Sequence, residues 1–371
     1  MAIPISRIPF APLGALFVQL VRNGGVHPLR LHRLLGLILR YTAVEPFRLA
    51  ERFIFDSKIA AHQLEHDPIF ILGHWRSGTS YLQTLLGQDP DLATSTLYRS
   101  VFADISLVTE PWLKPILNRI ARALRLPFSF QRLPLDLDIP AEADVGLCSL
   151  LSPYSYTWGH VFPTRLGEWM ERLVLHPTPE AARGWLLHYD TFIRKLSLAS
   201  RGRRIVMKTP GDTARVQLLL RQYPNAQFIY IHRNPIAVFH SCGYFWSVIR
   251  REFALQKISD SDVDDAVLTT YSALLESYLE QRQQVPPGQL TELRYEALRE
   301  DPVSALSRVY KDLDLGELPT AIKRYLSQQE RYPATPYSTP PELESRLRRV
   351  WAASFLAWPV PTEEHSGGGP E

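Results

Sequence analysis

The segment Ile69-Phe70-Ile71-Leu72 is apolar at four successive positions and runs directly into Gly73-His74-Trp75-Arg76-Ser77-Gly78-Thr79-Ser80. Unbroken hydrophobicity marks a strand covered on both faces of a parallel sheet, because a strand wetted on one face would alternate. After Gly78, residues Leu82, Leu85 and Leu86 recur at helical spacing until Asp89-Pro90 stops the helix. In a strand, small-residue loop and helix, the loop N–H groups and the helix N-terminus converge on one point, which suits a phosphate. A Gly-Ser turn could make the same connection, but the hydroxyls of Ser77, Thr79 and Ser80 add ligands that a plain turn does not need.

The alternation returns downstream. Arg204–Lys208 and Gln227–His232 read as buried strands with a helix from Thr213 to Tyr223 between them, a βαβ unit. Further helices are expected from Pro235 to Arg250, Asp262 to Gln283, Pro302 to Leu313 and Pro341 to Phe355, with a short strand over Leu290–Arg294. The fold class is therefore α/β, a parallel sheet flanked by helices in a P-loop-like three-layer sandwich. From Pro4 to Asp67 the chain reads as helices alone, with Leu31, Leu34, Leu35 and Ile38 at helical spacing and Arg30, Arg33 and Arg40 between them. Such a segment suits an interfacial membrane helix or packing on the main domain or a second subunit. The expected organisation is a helical extension over 1–67, a main domain over 68–362 and a disordered tail over 363–371, where Ser366-Gly367-Gly368-Gly369-Pro370 has low complexity.

Composition excludes several classes. The chain carries 41 basic and 38 acidic residues, so its formal net charge of +3 creates no general field for nucleic acid. Cys148 and Cys242 lie far apart without a CxxC pair or a neighbouring His cluster, which argues against a metal site or a disulfide framework and fits a reducing, cytoplasmic setting. The uncharged run Ile8–Val21 is interrupted by Pro9 and Pro12 and is shorter than the ~20 residues of a membrane span.

The spacing from Gly73 to Gly78 matches an ATP-type P-loop, but Thr79 occupies the position where that motif requires Lys. Nucleoside triphosphate chemistry uses that Lys and Mg²⁺ to offset charge on the outer phosphates. A phosphosulfate has one phosphate to cradle, and Arg76 within the loop could hold its bridging oxygen as a sulfuryl group departs.

The segment Pro68–Ser80 resembles the 5′-phosphosulfate loop of the sulfotransferases that use 3′-phosphoadenosine 5′-phosphosulfate (PAPS), in the branch with the tyrosylprotein enzymes and many bacterial members. His232-Arg233-Asn234-Pro235, followed by Ser241, is similar to that family's 3′-phosphate element. The resemblance implies a PAPS site made of Arg76, Ser77, Gly78, Thr79 and Ser80 with Arg233 and Ser241, and no metal. Arg233 also stands at the C-terminal end of a predicted parallel strand, the edge where open α/β sheets bind ligands. Leu293-Arg294-Tyr295-Glu296 resembles a late element whose Tyr approaches the nucleotide, and Lys208-Thr209-Pro210 resembles a Lys-Ser-Pro segment, which puts Tyr295 and Lys208 at the cofactor. The His usual two residues after that Pro is Asp212 here. Asp138-Ile139-Pro140-Ala141-Glu142-Ala143-Asp144 resembles an element with two acidic residues.

Glu142 is the first choice for the base that takes the acceptor proton, with Asp144, His74, His232 and His240 as alternatives. A carboxylate favouring a helix dipole after Pro140 reads Glu142 equally well. Trp75, Tyr244, Phe245 and Trp246 crowd the same region, where one could stack on adenine. The implied function is sulfuryl transfer to a hydroxyl of a carbohydrate, lipid or small metabolite. A P-loop kinase with an altered loop and a noncatalytic membrane-docked adaptor are the competing readings, and homo-oligomerisation is open. Trp112, Phe128, Phe130, Tyr154, Tyr156 and Trp158 lie in the irregular region expected to form the acceptor pocket.

Overall fold

The computed structural model describes residues 9–130, 133–329 and 337–359. The tail reading for 363–371 lies outside these residues, as does the start of the N-terminal reading at Pro4. Among the described residues seven strands form, in chain order: β1 (Ile69–Leu72), β2 (Leu92–Thr94), β3 (Pro127–Phe128), β4 (Leu133–Pro134), β5 (Arg204–Lys208), β6 (Gln227–His232) and β7 (Leu290–Arg294). Five of them make one sheet in the order β2-β5-β1-β6-β7, and every pairing is parallel. β3 and β4 pair separately as a short antiparallel ribbon.

All four residues of β1 are buried, because alternate side chains enter different cores. Phe70 and Leu72 pack with Ile205, Met207 and Phe228 beneath the helices Pro179–Ala199 and Val216–Gln222. Ile69 and Ile71 pack with Val206 and Ile229 against the helix Thr79–Leu86 and the later helices Pro302–Asp312 and Thr320–Gln328. These are the three layers that the apolar strands demand, each buried aliphatic or aromatic side chain stabilising by about 1.5–3 kcal/mol.

The N-terminal region forms two long helices, Ala11–Arg22 and Leu31–Ala61. Leu16 and Tyr41 pack with Leu151, Trp158, Phe162 and Leu255, which fixes these helices to the irregular region beside the sheet.

Several boundaries differ from the sequence reading. The helix expected from Thr213 starts at Val216, after a 3₁₀ turn over Pro210–Ala214. The helix from Pro235 gives way at Ile249–Phe253 to a π turn, and the last helix is interrupted at Trp351. β2 escaped the reading because three residues at a sheet edge carry too little pattern.

Candidate active site

β1, β5 and β6 all end at one edge of the sheet, so the loop after β1, Lys208 and Arg233 meet there. β1 lies between β5 and β6, and the chain adds β2 and β5 on one side of it before crossing to add β6 and β7 on the other, which opens a crevice above its C-terminal end. The loop turns through two glycines that no other residue could replace without displacement. Gly73 has φ +138°, and a Cβ there would lie 2.5 Å from the carbonyl oxygen of Ile231; Gly78 has φ +100°, and a Cβ would lie 2.2 Å from the Tyr295 ring. Arg76 between them also takes a left-handed backbone, φ 69°. The Gly73 N–H donates to Thr213 Oγ1 at 2.8 Å, which ties the loop to the turn after β5.

No side chain caps the helix Thr79–Leu86. Its first-turn N–H groups therefore face the crevice with the positive end of the helix dipole. Two guanidinium groups converge on the same place. Arg76 Nε donates to Ser241 Oγ at 2.8 Å and Arg76 Nη1 to the Phe130 carbonyl at 3.4 Å. Arg233 Nη1 donates to the Arg76 carbonyl at 3.0 Å, and its guanidinium lies over the Tyr295 ring at 4.6 Å. Neither Arg has a carboxylate partner among the described residues. Burial, with a smaller contribution from the neighbouring Arg233 charge, lowers the Arg76 pKa. Two adjacent cations beside an uncapped helix N-terminus are a setting that suits an anion. Arg76, Gly78, Arg233, Ser241 and Tyr295 are thus brought together, with Ser77 and Thr79 buried in the loop and Ser80 half-buried on the helix.

Glu142 stands on the adjoining wall. Its segment is held by a bridge between Thr96 and Pro140 and by Gln83 Nε2, which donates from the loop helix to the Ala141 carbonyl at 3.3 Å. Glu142 precedes the helix Ala143–Ser149 but does not cap it; its carboxylate instead accepts from Lys208 Nζ at 3.0 Å. Lys208 therefore meets a carboxylate at the strand end. The structure separates the two acidic residues: Asp144 is fully buried and accepts from Ser155 Oγ at 2.6 Å, Thr157 N at 2.9 Å and Thr157 Oγ1 at 2.8 Å. Burial raises the Asp144 pKa, and these hydrogen bonds oppose the rise.

The three histidines named from sequence also diverge. His232 stacks on Trp358 at 4.5 Å, and His240 hydrogen-bonds Thr339 Oγ1 at 2.8 Å. His74 Nδ1 bonds the Trp75 carbonyl at 2.9 Å, which makes that nitrogen the protonated one. Burial holds His74 at about 4, so it is neutral near pH 7. Asp212 belongs to a buried cluster in which it accepts from Tyr189 OH and lies 3.6 Å from Arg215, whose guanidinium stacks on Trp185.

Sequence reasoning missed His160. It is buried among Trp75, Tyr156, Phe245 and Trp246, and burial lowers it to about 4 while the Glu142 charge acts the other way. Beside it, Trp75 Nε1 and Tyr156 OH are buried donors without a partner among the described residues. A lone His in an irregular segment has no periodicity to announce it. Trp75 and Trp246 border a narrow crevice that reaches His74 and His160; it shares Leu166 and Ala266 with an open depression of about 550 Å³ at the surface.

The parallel sheet and the strand-loop-helix over Ile69–Leu86 define the P-loop-like α/β class. Residues 68–318 match the model of the sulfotransferase family, and the chain belongs to that family. It is an enzyme that transfers a sulfuryl group. It is 30% identical over 309 residues to the omega-hydroxy-beta-dihydromenaquinone-9 sulfotransferases Stf3 of Mycobacterium bovis and Mycobacterium tuberculosis, covering 82% of this chain and 78% of theirs. In fold it is similar to sulfotransferase STF9 from Mycobacterium avium, with TM-score 0.70, 16% identity, and 91% and 87% of the two chains covered. Sulfotransferase STF1 from Mycobacterium tuberculosis H37Rv gives TM-score 0.67 and 17% identity over 94% and 93%.

Proposed function

We propose that the sulfuryl donor is PAPS and that the acceptor is a hydroxyl on an apolar, lipid-like molecule. The observation that carries the donor assignment is the pair Arg76 and Arg233, two guanidinium groups without a carboxylate partner among the described residues, at an uncapped helix N-terminus. A nucleotide carrying phosphate at both 3′ and 5′ positions needs cations at two points, which this pair supplies. The apolar acceptor is supported by the menaquinone-derived acceptor in the name of the Stf3 relatives. An acceptor of that kind is dissolved in a membrane, so the enzyme would work in the cytoplasm at a membrane surface.

In this mechanism the acceptor oxygen attacks sulfur in line with the bridging oxygen. The new O–S bond forms as the bridging S–O bond breaks, and its electron pair goes to the 5′-phosphate oxygen. The acceptor proton goes to the Glu142 carboxylate, which Lys208 orients through their 3.0 Å contact. Arg76 and the loop N–H groups hold the charge developing on the leaving 3′,5′-bisphosphate, and Trp75 Nε1 and Tyr156 OH are free to donate to the acceptor oxygen.

Calorimetric titration with 3′-phosphoadenosine 5′-phosphate, AMP and ATP with Mg²⁺ tests the donor site. The bisphosphate should bind in preference to both others, and Arg233→Ala should weaken it by about 1.5–3 kcal/mol, the worth of a charged hydrogen bond. Preference for ATP would overturn the assignment. Glu142→Gln should lower kcat about 10²–10⁴-fold while bisphosphate affinity is kept, and unchanged turnover would remove Glu142 as the base.

A further inference from the structure

The first acidic residue of the chain is Glu45, and the 44 residues before it include five Arg. A second acid-free stretch runs from Pro111 to Leu135 and holds Lys114, Arg119, Arg122, Arg125 and Arg132. The fold places side by side the helices Leu31–Ala61 and Ser106–Ala123, which these two stretches partly form. Phe47 on the helix Leu31–Ala61 meets Trp112 on the helix Ser106–Ala123 with ring centroids 5.5 Å apart. Glu51 accepts from the Leu107 N–H at 2.8 Å on the same side. The helix Ala11–Arg22 joins from the other side, where the Phe10 N–H donates to Glu45 at 2.8 Å and Leu16 packs with Tyr41.

What these three helices turn outward is apolar. On Leu31–Ala61 the exposed residues Leu31, Leu35, Ile38, Leu39 and Phe53 form one stripe at helical spacing, with Leu39 60% and Phe53 84% exposed. On Ser106–Ala123 the stripe is Trp112, Ile116 and Ile120, continued by exposed Leu124. Phe17 and Val21 stand out from Ala11–Arg22. Most exposed large hydrophobic side chains among the described residues lie on these helices and the turns after them, whereas single exposed apolar residues scattered over a surface are ordinary. Arg22, Arg119, Arg122 and Arg125 are exposed, with no carboxylate partner among the described residues. No helix among the described residues is long and apolar enough to cross a membrane.

We propose that this three-helix face docks on the surface of an anionic lipid bilayer, the apolar stripes entering the interface and the unpaired arginines meeting phosphate headgroups. Interfacial helices have this make-up, an apolar stripe bordered by Arg. A second copy of the chain is the poorer partner, because self-association would bring one Arg-bearing face, poor in exposed carboxylates, against another. The face also borders the site. Arg33 donates to the carbonyls of Arg250 at 3.2 Å and Ala254 at 2.7 Å, in the turn that ends the Ser241 helix. The segment after Ser106–Ala123 carries Phe130, whose carbonyl accepts from Arg76.

The docking stands on the surface alone, so its test reads binding and not turnover. The full chain is floated with vesicles of phosphatidylcholine and of phosphatidylcholine with phosphatidylglycerol, at low and high salt. Binding is expected to the anionic vesicles and to weaken as salt rises. The paired change Leu35→Glu with Leu39→Glu, and the triple change Arg119→Gln, Arg122→Gln and Arg125→Gln, should each lower vesicle affinity about tenfold or more with melting temperature kept. The salt series on the parent protein tests the charge contribution even if a variant fails to fold. Absence of binding to both vesicle types, equal binding by the variants, or a lipid-free dimer that the Leu35→Glu, Leu39→Glu change dissolves would each overturn the proposal.

Discussion

Position 78 accepts hydrogen as its side chain and nothing larger. A methyl group there would strike the Tyr295 ring at 2.2 Å and would have to keep φ +100°. Gly78→Ala should therefore destabilise the protein by about 1–3 kcal/mol in denaturant titrations and weaken bisphosphate binding as Tyr295 is pushed aside. Gly243, on the helix that carries Ser241, has open space around its Cβ position. Gly243→Ala should be neutral or stabilise by roughly 0.5–1 kcal/mol. Equal effects at both positions would show that the loop geometry is less constrained than the close contact implies. The same scale separates Glu142 from Asp144: two residues apart in sequence, one reaches across to Lys208 and the other is consumed by Ser155 and Thr157. Sequence spacing cannot distinguish them, because their partners come from other parts of the chain.

Among the elements, β1 carries the largest share of the architecture. It pairs with β5 on one side and β6 on the other, and its four side chains enter both cores. Phe70→Ala should cost about 3–5 kcal/mol in equilibrium unfolding, because the Phe70 ring is packed against Tyr189, Tyr223 and Phe228 and the site has little freedom to collapse. A loss below ~1 kcal/mol would mean that the ring's neighbours close over the gap. This strand, β5 and β6 were legible at their observed limits, since apolar runs carry a strong signal, and β7, Leu-Thr-Glu-Leu-Arg, was legible without such a run. The helix boundaries near Thr213 and Ile249 were not. There tertiary contacts, the Thr213 bond to Gly73 and the Arg33 bonds to the Arg250 and Ala254 carbonyls, shape the backbone in ways that periodicity does not reveal.

For the whole molecule, burial of imidazoles links folding to pH. His74, His160 and His232 are each lowered to about 4 by burial, against an ordinary value of 6.5. Folded-state values below the unfolded ones mean that this stability is present above about 6.5 and is lost as pH falls through about 4. Asp212, raised by burial to about 7, acts in the opposite sense over the same range: its contribution is present below its ordinary 3.8 and lost as pH rises through 7. The comparison must therefore be made within one background. His160→Gln should flatten the fall in melting temperature between pH 6.5 and 4.5 relative to the parent, and an unaltered slope would show that His160 does not titrate as its burial requires.

The sequence by itself determined the sheet, the phosphate-type loop and its missing Lys, and the family resemblance, because these depend on residues close together in the chain. It also drew Arg76, Arg233, Ser241 and Tyr295 into one expected site, through motifs spread over more than two hundred residues. Tertiary structure decided what each does to the others: that Arg76 donates to Ser241, that no carboxylate answers either guanidinium among the described residues, and that Tyr295 closes under Gly78. It alone brought His160 and Tyr156 beside Glu142 and packed the helices Leu31–Ala61 and Ser106–Ala123, each with an exposed apolar stripe, against one another. Such contacts join segments far apart in the chain, and only packing of the whole chain sets their distances.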